Sequence, residues 1–129
     1  MDATDPPVPA KFTDLTKLRP VEIGAELSIR ALTGARVQVV HSEVQPGAEF
    51  APHQHPHEQI VVVLDGAIEF EIDGERQVLG PMGAFYFAPG SLHGARVPGD
   101  RPAILLEVFG PPREDYRDGV SDADHGHPR

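Results

Sequence analysis

Between Ile60 and Gly80 the chain reads IVVVLDGAIEFEIDGERQVLG, and two Asp-Gly pairs punctuate it. Asp-Gly readily takes the positive backbone φ that a two-residue hairpin turn demands. In the middle segment Ile68, Phe70 and Ile72 alternate with Glu69, Glu71 and Asp73. That period of two puts apolar side chains on one face of a strand and acids on the other. Asp73-Gly74 turns the strand back on itself, and Asp65-Gly66 joins it to the preceding run. Such a chain is committed to antiparallel sheet. The same texture continues on both sides: ARVQVVHSEV, AFYF, HGARV and AILLEVF read as short strands separated by turn residues. The pattern predicts an all-β sandwich or barrel. No stretch carries an amphipathic helix, and residues 13–19 make one turn at most. Residues 60–64 are apolar at every position, so both faces of that strand need cover. One would lie inside the barrel, the other against a second layer or a partner subunit.

The stretch before this hairpin, GAEFAPHQHPHEQ, carries the chemistry. His53 and His55 stand two apart at the end of a strand, so their side chains point the same way. Two imidazoles within reach of one ion are the nucleus of a metal site. Pro56 interrupts the strand, residues 56–58 turn, and Gln59 opens the next strand. Gln59 can fold back and offer its side-chain carbonyl oxygen. A fourth ligand must come from elsewhere, and His93, after the Pro-Gly turn of APGSLHGARV, is the best candidate. His57 is read as a solvated turn residue. His41 shares a strand face with Val37 and Val39, which leaves it pointing into a pocket or, the favoured reading, satisfied within the barrel. His125 and His127 lie in a Gly/Pro tail with no strand to orient them.

Gly47, His53, His55, Gln59 and Gly66 fall in the register of the first motif of the cupin superfamily, with Gln59 where glutamate is usual. The second cupin motif is looser: Gly90 and His93 fit, but Met82 and Ala88 stand where Gly and Pro are expected. The chain thus resembles a small single-domain cupin. The resemblance implies an all-β jelly-roll barrel over about residues 20–110, with a divalent metal at His53, His55, Gln59 and His93. Imidazole and amide donors accept Zn, Ni, Fe, Mn or Cu. The family commonly pairs barrels by their sheets, so a homodimer is expected, with residues 60–64 covered. A neutral amide leaves the ion a stronger Lewis acid than a carboxylate ligand would. That tilts the expected chemistry towards isomerisation, ring opening or elimination and away from oxygenation.

Near the C-terminus, PAILLEVFGPPREDY sets Leu105, Glu107 and Phe109 on one strand face and Ile104, Leu106 and Val108 on the other. If the first face is interior, Glu107 is a buried carboxylate with a raised pKa, suited to proton transfer; if exterior, it is a solvated charge. HQHPHEQ together with VFGPPREDY resembles the KdgF-like cupins of pectin degradation, which open unsaturated uronates to their linear keto form. In that group an acid, a Phe two residues on and an Arg four further act around the metal-bound sugar acid. Here these positions are Glu107, Phe109 and Arg113. The acid there is usually aspartate, one methylene shorter. Arg113 has another option, pairing with Glu114 or Asp115 on the surface.

Composition bounds the partners. The formal net charge is −9, from 20 acidic against 11 basic residues, and lysine occurs only at Lys11 and Lys17. Nucleic acid and membrane surfaces are therefore not expected to bind. There is no cysteine, which removes disulfides, thiolate metal sites and thiol nucleophiles. The 129 residues suit one domain, expected at 11–117, between a mobile arm at 1–10 and a mobile tail at 118–129. No apolar run approaches a membrane span, and MDATDPPVPAKF does not read as a signal peptide, so a cytoplasmic protein is expected. The function expected is a metal-dependent lyase or isomerase acting on a small anionic, oxygen-rich molecule such as an unsaturated uronate. Three competitors stay open. One is a non-haem Fe(II) dioxygenase, and another is a non-catalytic metal- or ligand-binding sensor. The third is a polyketide-cyclase-type enzyme with a wide pocket lined by Phe50, Phe85, Phe87 and Phe109.

Overall fold

The computed structural model describes residues 10–116. Apart from Ala10, the arm and tail expected at the ends, with His125 and His127, lie outside the described residues. One 3-10 turn at Leu15–Lys17 precedes the strands, in line with the single turn expected there. The strands are β1 (Val21–Ile23), β2 (Leu27–Thr33), β3 (Gln38–Val44), β4 (Glu49–His53) and β5 (Glu58–Asp65). They continue with β6 (Ile68–Ile72), β7 (Glu75–Leu79), β8 (Ala84–Phe87), β9 (His93–Arg96) and β10 (Ala103–Gly110). A six-stranded sheet runs β1-β2-β3-β10-β5-β8 and a four-stranded sheet runs β4-β9-β6-β7, every pairing antiparallel. This is the double-sheet jelly roll that the strand pattern and the resemblance implied. No helix among the described residues is long and apolar enough to cross a membrane.

The core lies between the sheets. Ile29, Val40, Val61 and Leu105 face it from the larger sheet, and Ile68 and Phe70 from the smaller. The β6–β7 hairpin turns at Asp73 (φ 50°) and Gly74 (φ 85°), as the Asp-Gly pair requires. At Gly66 the backbone has φ 73°, and a Cβ would collide with the carbonyl of Pro102. Only glycine fits there.

Two strands escaped the sequence. β1 and β2 carry no turn-bounded aromatic or valine run, yet β2 pairs with β3 along its whole length and buries Leu27, Ile29 and Ala31. Tertiary pairing overrides a weak local signal here. His41 also differs from expectation. In β3 the buried residues are Gln38, Val40, Ser42 and Val44, so His41 points to the outer face, beside Arg30 and Leu106. Its Nδ1 is buried without a hydrogen-bond partner, and burial, then the charge of Arg30, lowers its pKa. It is neither a pocket residue nor a satisfied interior histidine. β5 has the expected two apolar faces: Val61 and Val63 point inward, while Ile60 and Leu64 stay 44% and 43% exposed on the outside.

Candidate metal centre

His53 closes β4 and lies directly opposite His93, the first residue of β9. His55 follows two residues past the strand end, before the bend at Pro56. The ligand atoms of His53, His55 and His93 all fall within 4.8 Å of one another. The ring centroids are 5.6 Å apart for His53–His55, 4.7 Å for His53–His93 and 4.8 Å for His55–His93.

Each ring is oriented by the backbone. Nδ1 of His53 lies 3.2 Å from the Ala51 carbonyl, that of His55 3.2 Å from the His57 carbonyl, and that of His93 3.0 Å from the Ser91 carbonyl. A carbonyl only accepts, so His53 and His93 carry their proton on Nδ1 and present an Nε2 lone pair; His55 has an acceptor oxygen at each nitrogen, the His57 carbonyl at Nδ1 and Gln59 Oε1 at Nε2, and while neutral donates to one of them. This is the arrangement by which proteins fix the tautomer of metal-binding histidines. Burial pushes the pKa of His93 down to about 4 and lowers that of His55, keeping both neutral and able to ligate. The donor chemistry fits a divalent ion.

Gln59 is the second residue of β5 and lies on its inner face. Its Oε1 is 3.1 Å from His55 Nε2, so the amide oxygen faces the histidines. Its Nε2 donates to Glu107 Oε1 at 2.8 Å. Glu107 lies on the interior face of β10, between Val40 of β3 and Val61 of β5. Its other oxygen, Oε2, accepts a 2.6 Å hydrogen bond from Ser42 Oγ. The carboxyl is thus held from both neighbouring strands, and burial raises its pKa. Of the two readings of Glu107, the structure selects the interior one.

Phe109, one step along the same face, sits between Gln38 and Gln59 in the sheet and is fully buried. The chain then leaves β10 and brings Arg113 and Tyr116 back to the mouth of the pocket, which Gln59, His53, His93 and Glu107 also line. Arg113 donates from Nε to Asp115 Oδ1 at 3.0 Å and from Nη2 to Asp115 Oδ2 at 2.7 Å. Its Cζ lies 4.2 Å from the Tyr116 ring centre and 5.4 Å from that of Phe109. Arg113 therefore makes the expected pair with Asp115 and lines the pocket as well; its side chain is only 18% exposed.

Three site residues were not singled out in the sequence: Ser42, Gln38 and Tyr116. Tyr116 is buried enough for its phenol to be pushed up to about 12, so it stays a neutral hydroxyl. Ser42 and Gln38 had one legible signal, polar side chains in phase with the buried valines of β3. His57 stands outside the histidine group, as expected, but it is half-buried rather than freely solvated: its ring packs 5.3 Å from His55 and 6.3 Å from Phe109, and its Nδ1 is buried without a partner.

A two-sheet jelly roll brings three histidines with converging ligand atoms, a candidate metal site, beside a buried carboxyl. Residues 40–109 match the family described as Cupin domain, and the chain belongs to that family. The pectin degradation protein KdgF of Dickeya dadantii (strain 3937) is 34% identical over 71 residues, 54% of this chain and 64% of that protein. The match thus covers slightly less than two thirds of that relative. The structure of KdgF from Halomonas sp. superposes with a TM-score of 0.77 at 27% identity, covering 83% of this chain and 98% of the other. An RmlC-like cupin from Shewanella frigidimarina NCIMB 400 gives 0.76 at 28% identity, over 84% and 97%.

Proposed function

We propose that this chain is a metal-dependent enzyme that converts a small unsaturated uronate into its linear keto isomer. The observation that carries this reading is one pocket lined by His53 and His93 of the histidine group, by the buried carboxyl of Glu107 and by the cation Arg113. The likeness to two proteins named KdgF, one of them a pectin degradation protein, supports it.

His53, His55, His93 and the amide oxygen of Gln59 would hold a divalent ion drawn from Zn, Ni, Fe, Mn or Cu. Such an ion supplies Lewis acidity, undiminished by any ligating carboxylate because Gln59 is neutral. Glu107 keeps the Gln59 NH₂ engaged and so holds the oxygen towards the histidines. Arg113 spends Nε and one Nη2 proton on Asp115, which leaves its Nη1 side for the substrate carboxylate. Phe109 and Tyr116 hold the guanidinium in place. Glu107 takes the proton of the anomeric hydroxyl as the C1–O5 bond breaks, and returns it to C4 as the C4=C5 bond becomes a C5 ketone. The step is an isomerisation: no water, oxidant or reductant enters it. Burial raises the proton affinity of Glu107, which suits a group that must hold a proton and release it.

Phe85 and Phe87 pack 4.9 Å apart, and Phe70 lies 5.1 Å from Phe87, so these rings fill the barrel rather than open it. That favours a small substrate over a polycyclic one. The exposed apolar outer face around Ile60, Leu64 and Val108 supports a homodimer formed through the six-stranded sheet.

The test is metal-loaded protein with 4,5-unsaturated galacturonate, followed by loss of the C4=C5 absorbance and by NMR of the product. Accelerated formation of the keto acid without oxygen uptake is the expected result. Oxygen consumption with substrate would replace this reading by the Fe(II) dioxygenase. Tight binding with no product would leave a sensor.

A further inference from the structure

Gln38 is almost fully buried on the inner face of β3, 1% exposed, at a position where the strand otherwise buries valines and a serine. A buried amide is retained at such a position only if its hydrogen bonds are made. Here its amide donors and its carbonyl acceptor are all engaged. Nε2 donates to Thr33 Oγ1 at 3.0 Å and to the carbonyl of Tyr116 at 2.8 Å, and Oε1 accepts from the backbone N–H of Arg113 at 3.1 Å. Two of these three partners are backbone atoms at the two ends of one short segment, 113–116, which lies more than seventy positions away in sequence. That segment carries Arg113 and Tyr116 into the pocket. After Pro111-Pro112 it belongs to no strand and makes no ladder bonds.

We infer that Gln38 is a positioning residue: it clamps both ends of the 113–116 turn and thereby sets Arg113 to bind the carboxylate of an anionic sugar substrate. The assignment rests on the uronate reading of the same pocket. Gln38 itself touches no substrate. It acts through the turn, because the hydrogen bonds to Asp115 and the contacts to Phe109 and Tyr116 fix the guanidinium only relative to that turn and to β10. Without the clamp the turn keeps the contacts of Arg113 and Tyr116 with the Phe109 ring of β10.

The experiment uses the full-length, metal-loaded protein and galacturonate as a non-reacting probe, with galactose as its neutral counterpart. Affinity is measured by calorimetry for wild type, Q38M, R113A and the double variant, and amide hydrogen exchange is followed at Arg113. Methionine matches glutamine in length and volume but makes no hydrogen bond of this kind. We expect Q38M to keep its metal, to exchange the Arg113 amide at least about tenfold faster, and to bind galacturonate about tenfold more weakly, the scale of one lost positioning interaction. Binding of galactose should not change. The double variant should bind no worse than R113A alone, because Gln38 works through Arg113. If Q38M opens the turn yet binds galacturonate like wild type, or weakens R113A as much as it weakens wild type, the inference is wrong. If R113A itself binds galacturonate normally, the uronate reading fails first and takes the inference with it. Should Q38M not load metal, Q38E carries the test: it keeps the acceptor for the Arg113 N–H, loses the donor to Tyr116, and is expected to fall between wild type and R113A.

Discussion

The two faces of the six-stranded sheet break the ordinary pattern in opposite directions. Its inner face, which should be apolar, buries Gln38, Ser42, Gln59 and Glu107. Its outer face, which should be polar, exposes Ile60, Leu64 and Val108. The outer face of the four-stranded sheet supplies the contrast: it is charged, with Arg96 paired to the buried Glu69 at 2.7 Å and Arg76 to Glu71 at 3.5 Å. Inside, the polar groups bond one another and the backbone of the 113–116 turn, so they form a built site rather than packing errors. Outside, the apolar face is the surface proposed to pair with a second copy of the chain.

The largest expected effect breaks the inner face. Glu107→Gln keeps the shape and cannot carry the proton; kcat on the unsaturated uronate should fall about 10²–10⁴-fold with metal content unchanged, the scale of a lost general acid–base group. Next comes the outer face: Ile60→Lys should convert a dimer into a folded monomer in sedimentation equilibrium, whereas Glu71→Lys on the other sheet should leave assembly alone. A dimer that survives Ile60→Lys would remove the outer face from the account. Ser42→Ala strips one donor from the buried Glu107 carboxyl and should lower stability in urea by roughly 2–3 kcal/mol. Wild-type stability in that variant would mean the Ser42 bond contributes nothing.

The smallest effect is a pH dependence. Burial pushes the Tyr116 phenol up to about 12. Between its ordinary value near ~10 and that value, the unfolded chain has released a proton that the folded chain still holds. Stability should be unaffected below about pH 10 and fall by at most about 2 kcal/mol as pH rises towards about 12. Tyr116→Phe should flatten that slope. The chain has only two tyrosines, so tyrosinate absorbance reads this directly, with the exposed Tyr86 as the second signal.

Much of this was legible in the chain. The Asp-Gly hairpins fixed β5 to β7, and the spacing of His53, His55 and Gln59 placed three groups at one end of the barrel because strand period and a Pro-terminated turn are local properties. What was illegible was phase and reach. In ARVQVVHSEV both faces carry valine, so the strand alone does not say which side is inside, and His41 was assigned to the wrong face. Glu107 had the same ambiguity, resolved only by its register against Val40 and Val61. Ser42 and Gln38 meet partners 65 to 78 positions away, beyond any local pattern. β1 and β2 exist because β3 offers an edge to pair with.

The proposed chemistry depends on the histidine group at the β4–β9 end of the barrel holding a metal. Elemental analysis of anaerobically purified protein, beside a His53→Ala/His93→Ala variant, tests it most directly. About one divalent ion per wild-type chain and none in the variant is expected, since a site of this kind does not survive loss of two ligands. Metal-free wild type even after reconstitution, or equal metal in both proteins, would contradict it.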